Sequence, residues 1–295
     1  MIRRIARFTA TRFKAQYLLY GVLWTLTVEA SAATIAPPPP DTDWRPTWQT
    51  AARVGIVLLV LLYLRIIDDQ KDLTYDRTHH LDRPLVTGAV TARDLRAAMA
   101  VIAAVSVAGA VALAPWTALL LLATLAYGLV LWAIEVRSER IRTRVLANLV
   151  VTYPIQIVLT GWLLTSAVAT GQVAPDPVVV WTLVIFAGTF LQFEFARKTA
   201  RTGTPGEHLY SDALGVTGST FVVGALATTA VAAYVALVQP WLLASLAWLP
   251  AVPLVIVIVA IVRFLTSSKD RFPAALSALF VLTFYVAILV VALAM

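Results

Sequence analysis

Apolar runs of about 17 to 25 residues, the length that crosses a bilayer as a helix, dominate the chain. They fall near 15–36, 49–67, 95–113, 116–134, 145–168, 178–195, 215–237, 241–264 and 273–294. This pattern predicts nine transmembrane helices, an all-α, polytopic membrane bundle forming a single integral-membrane domain over residues 1–295. The short alternating segments that membrane strands require are absent. The third and fourth runs meet at Ala114-Pro115 and the seventh and eighth at Gln239-Pro240, where proline predicts tight hairpins. Pro250 and Pro253 are expected to kink the eighth helix. The first run admits a competing reading as a signal peptide, with a basic lead and small residues at Ala30-Ser31-Ala32. Glu29 argues against cleavage there, and Pro37–Pro40 reads as a stiff external linker.

Composition sharpens the membrane assignment. Of 295 residues, 60% are hydrophobic and 13% charged, against about 25% charged in soluble domains. The excess of 23 Lys+Arg over 16 Asp+Glu sits in short segments between the apolar runs, which points to a membrane surface and not to nucleic acid. The N-terminus and the loops after even-numbered helices carry all the basic residues except Arg45 and Arg53, counting Arg65 and Arg263 near the adjoining helix ends. That asymmetry places the N-terminus and those loops in the cytoplasm and the C-terminus outside. With no cysteine in the chain, thiol nucleophiles, disulfides and Cys-ligated zinc are excluded.

Candidate chemistry concentrates after the second run, in Arg65-Ile-Ile-Asp68-Asp69-Gln-Lys71-Asp72-Leu-Thr-Tyr-Asp76. If the helix continues, residues four apart are rotated by only about 40°. Asp68, Asp72 and Asp76 then form a carboxylate ladder with Asp69 beside it. Like charges so placed repel unless cations neutralise them. Oxygen ligands without His or Cys suit Mg2+, which takes one or two carboxylates and completes its shell with substrate phosphate oxygens. The competing reading is a solvated loop in which Arg65 pairs with Asp69, and Asp72 with Arg77 or Lys71.

Asp68-Asp69-x-x-Asp72-x-x-x-Asp76 followed by Arg83-Pro84-Leu85-x-x-Gly88 resembles the first signature of the UbiA-type intramembrane prenyltransferase superfamily, with Asp68 where Asn is usual. The resemblance implies a nine-helix bundle around a lipid-facing active-site cavity. It also implies that a prenyl diphosphate is bound through magnesium, with Asp68, Asp69, Asp72 and Asp76 as ligands and Arg83 on the diphosphate. The family's second motif, roughly Asp-x-x-x-Asp after the sixth helix, matches Glu194-Phe-Ala-Arg197-Lys198. Glu194 keeps one carboxylate for metal, while Lys198 stands where the second would be. Lys198 and Arg197 would then grip the diphosphate directly, or Lys198 would form an ordinary i,i+4 pair with Glu194. Ser211-Asp212-Ala-Leu214-Gly215 is similar to a family stretch ending in Leu-Gly.

Weaker signals complete the site. Arg144 and Asn148, expected on one helical face, are candidate diphosphate ligands after the fourth helix. Phe190, Phe193 and Tyr153 are candidate walls for a carbocation. His79 and His80 adjoin each other without a third His nearby and read as a loop feature, and most tryptophans read as interface anchors. Two enzymatic fates follow from ionising a prenyl diphosphate. The prenyl group passes to a lipophilic or aromatic acceptor, or the chain's own double bond attacks and the protein is a membrane terpene cyclase. A cation-coupled transporter is a third reading, disfavoured because the charged motifs lie at helix ends.

Overall fold

The computed structural model describes residues 1–38, 44–204, 206–243 and 245–294. Among the described residues, nine helices are long and apolar enough to cross a membrane, in the order expected from the apolar runs. The protein is an integral, multi-pass membrane protein. The exposed apolar side chains fit that setting: Val255, Ile258, Val262 and Leu265 line the outside of one helix whose Val257, Ala260 and Phe264 are buried. Such a surface suits contact with lipid. Packing divides the chain into two compact units, Met1–Thr25 with Pro46–Glu139, and Leu26–Arg45 with Arg140–Met295.

In the first unit, α1 (Ile2–Arg12) is a short basic helix ahead of the first span, α2 (Ala15–Ile35). It docks through Phe8, which is fully buried, and through Arg4, whose guanidinium lies 3.0 Å from Asp94. Next comes α3 (Trp48–Lys71), started by a reciprocal cap in which Thr47 and Thr50 each accept the other's backbone N–H. It runs four residues beyond its apolar stretch because its polar end is held by ion pairs. Asp72 ends it, and α4 (Leu73–His79) follows. Thr91 and Asp94 form the equivalent cap for α5 (Ala92–Leu113). Ala114 is extended ahead of Pro115, and one 3-10 turn leads into α6 (Ala118–Arg137), which gives the expected hairpin. Gly128 lets α6 approach α3 closely, since a Cβ there would stand 3.0 Å from Leu64 and 3.2 Å from Ile67.

The second unit takes the end of α2 with Glu29, which is buried and accepts a 3.1 Å hydrogen bond from the Trp44 indole. Ala30, Ser31 and Ala32 are helical and fully buried. Of the expected linker, Pro37 and Pro38 are coil, while Pro39 and Pro40 lie outside the described residues. A short α7 (Glu139–Thr143) precedes α8 (Val145–Thr152) and α9 (Pro154–Ala169), which together make the fifth span. The sixth is α10 (Thr182–Arg197), packed tightly on α11 (Tyr210–Val238). At that crossing Gly188 is required, because a Cβ would sit 2.8 Å from the Leu226 carbonyl oxygen. The eighth span differs from the kinked helix expected. It begins as a 3-10 helix, Ser245–Ala251, with Pro250 inside it, and turns α-helical only after Pro253, as α12 (Leu254–Thr266). Each proline removes an N–H donor, so the i→i−4 ladder starts beyond both. The last span is α13 (Ala274–Ala294).

Candidate active site

The acidic motif lies in the first unit, where α3 gives way to α4. Contrary to the expected unbroken helix, Asp72 sits at φ −87°, ψ 3° and separates the two. The one-turn spacing nevertheless survives, since the Asp72 N–H donates to the Asp68 carbonyl and the Asp76 N–H to the Asp72 carbonyl. Each of the other acids is drawn to a basic partner. Asp69, 2% exposed, receives both Nε and Nη2 of Arg12, at 2.7 and 2.8 Å, and a third bond from Arg65 at 3.0 Å. The Arg65–Asp69 pair is the one that the solvated-loop reading expected. Lys71 bridges Asp68 at 3.1 Å and Glu135 of α6 at 2.9 Å. Arg83 pairs with Asp76 through Oδ2.

Among the described residues, no three His, Asp or Glu side chains gather as a ready-made metal cluster. A magnesium ion completed by substrate phosphates does not need one. Two observations fit such an ion. Asp76 is buried, yet its Oδ1 has no hydrogen-bond partner. An orphaned oxygen of this kind costs about 1–3 kcal/mol, more when charged. Asp72 lies just past the spanning helix. Burial pushes its carboxyl up to about 6; the Lys71 ammonium pulls it back, and the Asp68, Asp76 and Glu135 carboxylates act in the same direction as burial. A cation near Asp72 and Asp76 would relieve both. Asp69, held by two guanidiniums, is the least available of the four.

The turn after α4 places Arg83. Its carbonyl accepts the N–H groups of Val86 and Thr87, and Gly88 closes the turn at φ +75°, a left-handed conformation that side chains resist. The glycine of the motif is thus a backbone requirement. His79 stacks on Tyr75 with ring centroids 4.1 Å apart and is exposed at the end of α4, with His80 half-buried after it.

The altered second motif lies in the second unit, at the end of α10. Glu194 is buried and bonds Arg197 at 2.5 Å and Lys198 at 3.0 Å, so the i,i+4 pair is present and has a second cation beside it. Tyr210 completes the group: its hydroxyl is 3.4 Å from Glu194, and the Lys198 ammonium lies 5.5 Å from its ring centroid. One carboxylate faces two cations, which leaves the group with a net positive charge. The loop that follows is fixed by Arg201, which donates to the Phe264 carbonyl at 2.8 Å, and by a two-bond Glu207–Arg271 pair. That pair holds the half-buried Glu207 carboxyl down at about 2. Gly215, at φ +71°, breaks α11 after its first turn and accounts for the Leu-Gly signature.

Arg144 is exposed and is the N-cap of α8, with extended backbone, so it does not share a helical face with Asn148 in the sense expected. The two remain one turn apart, with the Asn148 N–H bonded to the Arg144 carbonyl at 2.9 Å. Tyr153 meets Phe190 with centroids 5.9 Å apart, and Phe193 is half-buried on α10. Sequence reasoning passed over Arg12, Lys71, Glu135 and Tyr210 as site residues. Glu135 carried a signal, a carboxylate at the end of an apolar run; Arg12 was hidden among basic residues that topology already explained.

No protein-family model and no curated protein matches the chain. Solved structures do. A UbiA homologue from Aeropyrum pernix K1 in its apo state is 19% identical over 95% of this chain and 98% of its own, with a TM-score of 0.64. A digeranylgeranylglyceryl phosphate synthase is 14% identical over 99% and 100%, also at 0.64. A UbiA homologue from Archaeoglobus fulgidus bound to DMAPP and Mg2+ is 14% identical over 92% and 97%, at 0.55. The chain has the UbiA-type fold.

Proposed function

We propose that this protein of UbiA-type fold is a magnesium-dependent intramembrane prenyltransferase, which ionises a prenyl diphosphate and passes the prenyl group to a lipophilic or aromatic acceptor. The observation that carries the reading is the first motif: Asp72 and Asp76, the one raised by burial and the other with an orphaned buried oxygen, beside Arg83. A fold shared along the chain with a homologue whose structure holds DMAPP and Mg2+ supports it. Asp72 and Asp76 would hold the magnesium, with Asp68 and Glu194 as further candidates. When bound, the ion would supply positive charge to the departing diphosphate.

Arg83 is bound to Asp76, so its guanidinium is pre-positioned and can exchange a carboxylate for a phosphate oxygen of like geometry. Lys198 and Arg197 are assigned to the diphosphate as fixed cations, with Arg144 and Asn148 as further ligands. In the transfer, the allylic carbon–oxygen bond breaks and diphosphate leaves with the electron pair. The acceptor's nucleophilic atom bonds to the allylic carbon and its proton leaves with the diphosphate. Phe190, Phe193 and Tyr153 are suited to exclude water and to face a carbocation. The N-terminus and the motif loops are assigned to the cytoplasm and the C-terminus to the outside, a reading that the charge asymmetry supports.

The test is turnover by the purified protein of prenyl diphosphates with ten, fifteen, twenty or twenty-five carbons in the presence of magnesium. Diphosphate release with a prenylated product only after lipid extract is added is the expected result. Cyclic hydrocarbons or alcohols formed without acceptor would establish cyclisation instead, and no magnesium-dependent loss of substrate in either arm would overturn the enzyme reading.

A further inference from the structure

One stripe of α1 faces the turn that carries Arg83. Arg4, Arg7, Phe8 and Thr11 are spaced i, i+3, i+4, i+7, and with Asp82 and Thr87 of that turn they line a cavity of about 320 Å³. That volume suits a small ligand. Both sides of the cavity are fixed. Phe8 is fully buried, and in the turn the Thr87 N–H bonds the Arg83 carbonyl at 2.9 Å and the Val90 N–H the Pro84 carbonyl at 3.2 Å. Arg83 itself pairs with Asp76 and takes no part in the wall.

The polar groups of the wall are unevenly satisfied. Arg4 has Asp94 at 3.0 Å. Arg7 and Asp82 are exposed, and among the described residues neither side chain makes an ion pair or a hydrogen bond, although both border the same cavity. Opposite charges held apart across a cavity suit a ligand that carries both signs itself. The two hydroxyls add to this. Thr11 donates to the Arg7 carbonyl at 2.8 Å and Thr87 to the Pro84 carbonyl at 3.3 Å, so each proton is used and the oxygen lone pairs remain. The wall therefore offers guanidinium donors for an anion, and a carboxylate and two hydroxyl oxygens as acceptors. A primary ammonium, with its three N–H donors, matches those acceptors.

The cavity also stands at the level of lipid heads. Helix α1 lies directly ahead of the first span, and Leu18 and Leu19, exposed on that span, mark where the lipid-facing surface begins. Guanidiniums at such a level meet phospholipid phosphates. We infer that this cavity binds the phosphoethanolamine headgroup of a membrane phospholipid, with the phosphate against Arg7 and Arg4 and the ammonium against Asp82, Thr11 and Thr87. Choline is excluded because its quaternary nitrogen has no N–H to donate. The inference goes beyond the prenyl-transfer reading and does not depend on it. A lipid so bound ties α1 to the turn that positions Arg83.

Native mass spectrometry of the full chain, delipidated in detergent, tests this with dioleoyl phosphatidylethanolamine, phosphatidylcholine and phosphatidylglycerol added in turn. Wild type is expected to retain the ethanolamine lipid about tenfold better than the other two, since a site built to hydrogen-bond a group rejects the analogue lacking it. Asp82→Asn should abolish that preference, and Arg7→Gln should lower retention of the ethanolamine lipid about tenfold, as for a lost charge-assisted contact. Lys269→Gln, which removes an exposed charge elsewhere, should retain it as wild type does. Melting temperatures on the same samples check that the variants fold. Equal retention of the three lipids by wild type would mean that Arg7 and Asp82 simply close on each other, and would overturn the site. Unchanged retention by folded Arg7→Gln and Asp82→Asn would do the same. Displacement of the lipid by an equal concentration of soluble glycerophosphoethanolamine would overturn the assignment to a membrane lipid, and persistence of the lipid supports it.

Discussion

Asp76 gives one carboxylate oxygen to Arg83 and has no partner for the other, whereas Asp69 has both oxygens filled by guanidiniums. The two acids occupy one motif and have different work to do. Asp72→Asn and Asp76→Asn keep shape and remove charge, so both should abolish magnesium-dependent turnover while the melting temperature holds or rises, because like-charge repulsion is relieved. Kinetics at saturating magnesium with melting curves on the same samples check this; near-normal turnover in both would remove the pair from the site. Lys198 allows a cleaner separation. Glu194 keeps Arg197 when Lys198 is lost, so Lys198→Ala should cost only the few tenths of a kcal/mol of a redundant helix pair. Prenyl diphosphate affinity should nevertheless fall by about tenfold or more, as for a charge-assisted contact. Unchanged affinity would leave Lys198 as Glu194's partner and nothing else. At this scale the motif residues themselves were legible, since Asp72, Asp76 and Arg83 stand out by type and spacing. Their partners were not. Arg12, 57 residues before Asp69, is joined to it by tertiary packing, which no local spacing encodes.

The short helix α1 shows what an element adds to those residues. Its sequence reads as a generic basic lead, and positive-inside topology explains its arginines without further comment. In the fold it is a clip: Phe8 is buried, Arg4 meets Asp94 at the cap of α5, and Arg12 closes on Asp69. Arg12→Ala would leave Asp69 buried with Arg65 alone, a loss of about 1–3 kcal/mol. The expected outcome is a lower melting temperature that Arg12→Lys restores only in part, because an ammonium cannot reproduce the two-bond fork. A melting temperature unchanged in Arg12→Ala would show that α1 does not clip the motif. Elements of ordinary hydropathy were legible to within a few residues: the nine spans, and the proline hairpin at Pro115. What escaped were changes of helix type inside a span. The break at Asp72, the left-handed Gly215 and the 3-10 start of the eighth span depend on backbone detail that an apolar run does not report.

Across the whole chain, the proposed orientation rests on charge and not on packing. The loops after the second, fourth, sixth and eighth spans carry Arg83, Arg140, Arg201 and Arg271 among others, while the loops between them are nearly free of basic residues. Insertion retains Lys and Arg on the cytoplasmic side, and a bias this one-sided leaves little room for a mixed topology. The absence of cysteine makes the orientation directly measurable, since any introduced thiol is the only one present. Thr202→Cys and Ser268→Cys fall in loops assigned to the cytoplasm, and Pro175→Cys in a loop assigned outside; all three positions are exposed. With a membrane-impermeant maleimide added to intact cells, Pro175→Cys should label and the other two should not, until the cells are opened. Labelling of Thr202→Cys or Ser268→Cys in intact cells would invert the topology. The motif loops would then draw their diphosphate substrate from outside the cell, where the reading given to Asp72, Asp76 and Lys198 would have to find a different anion.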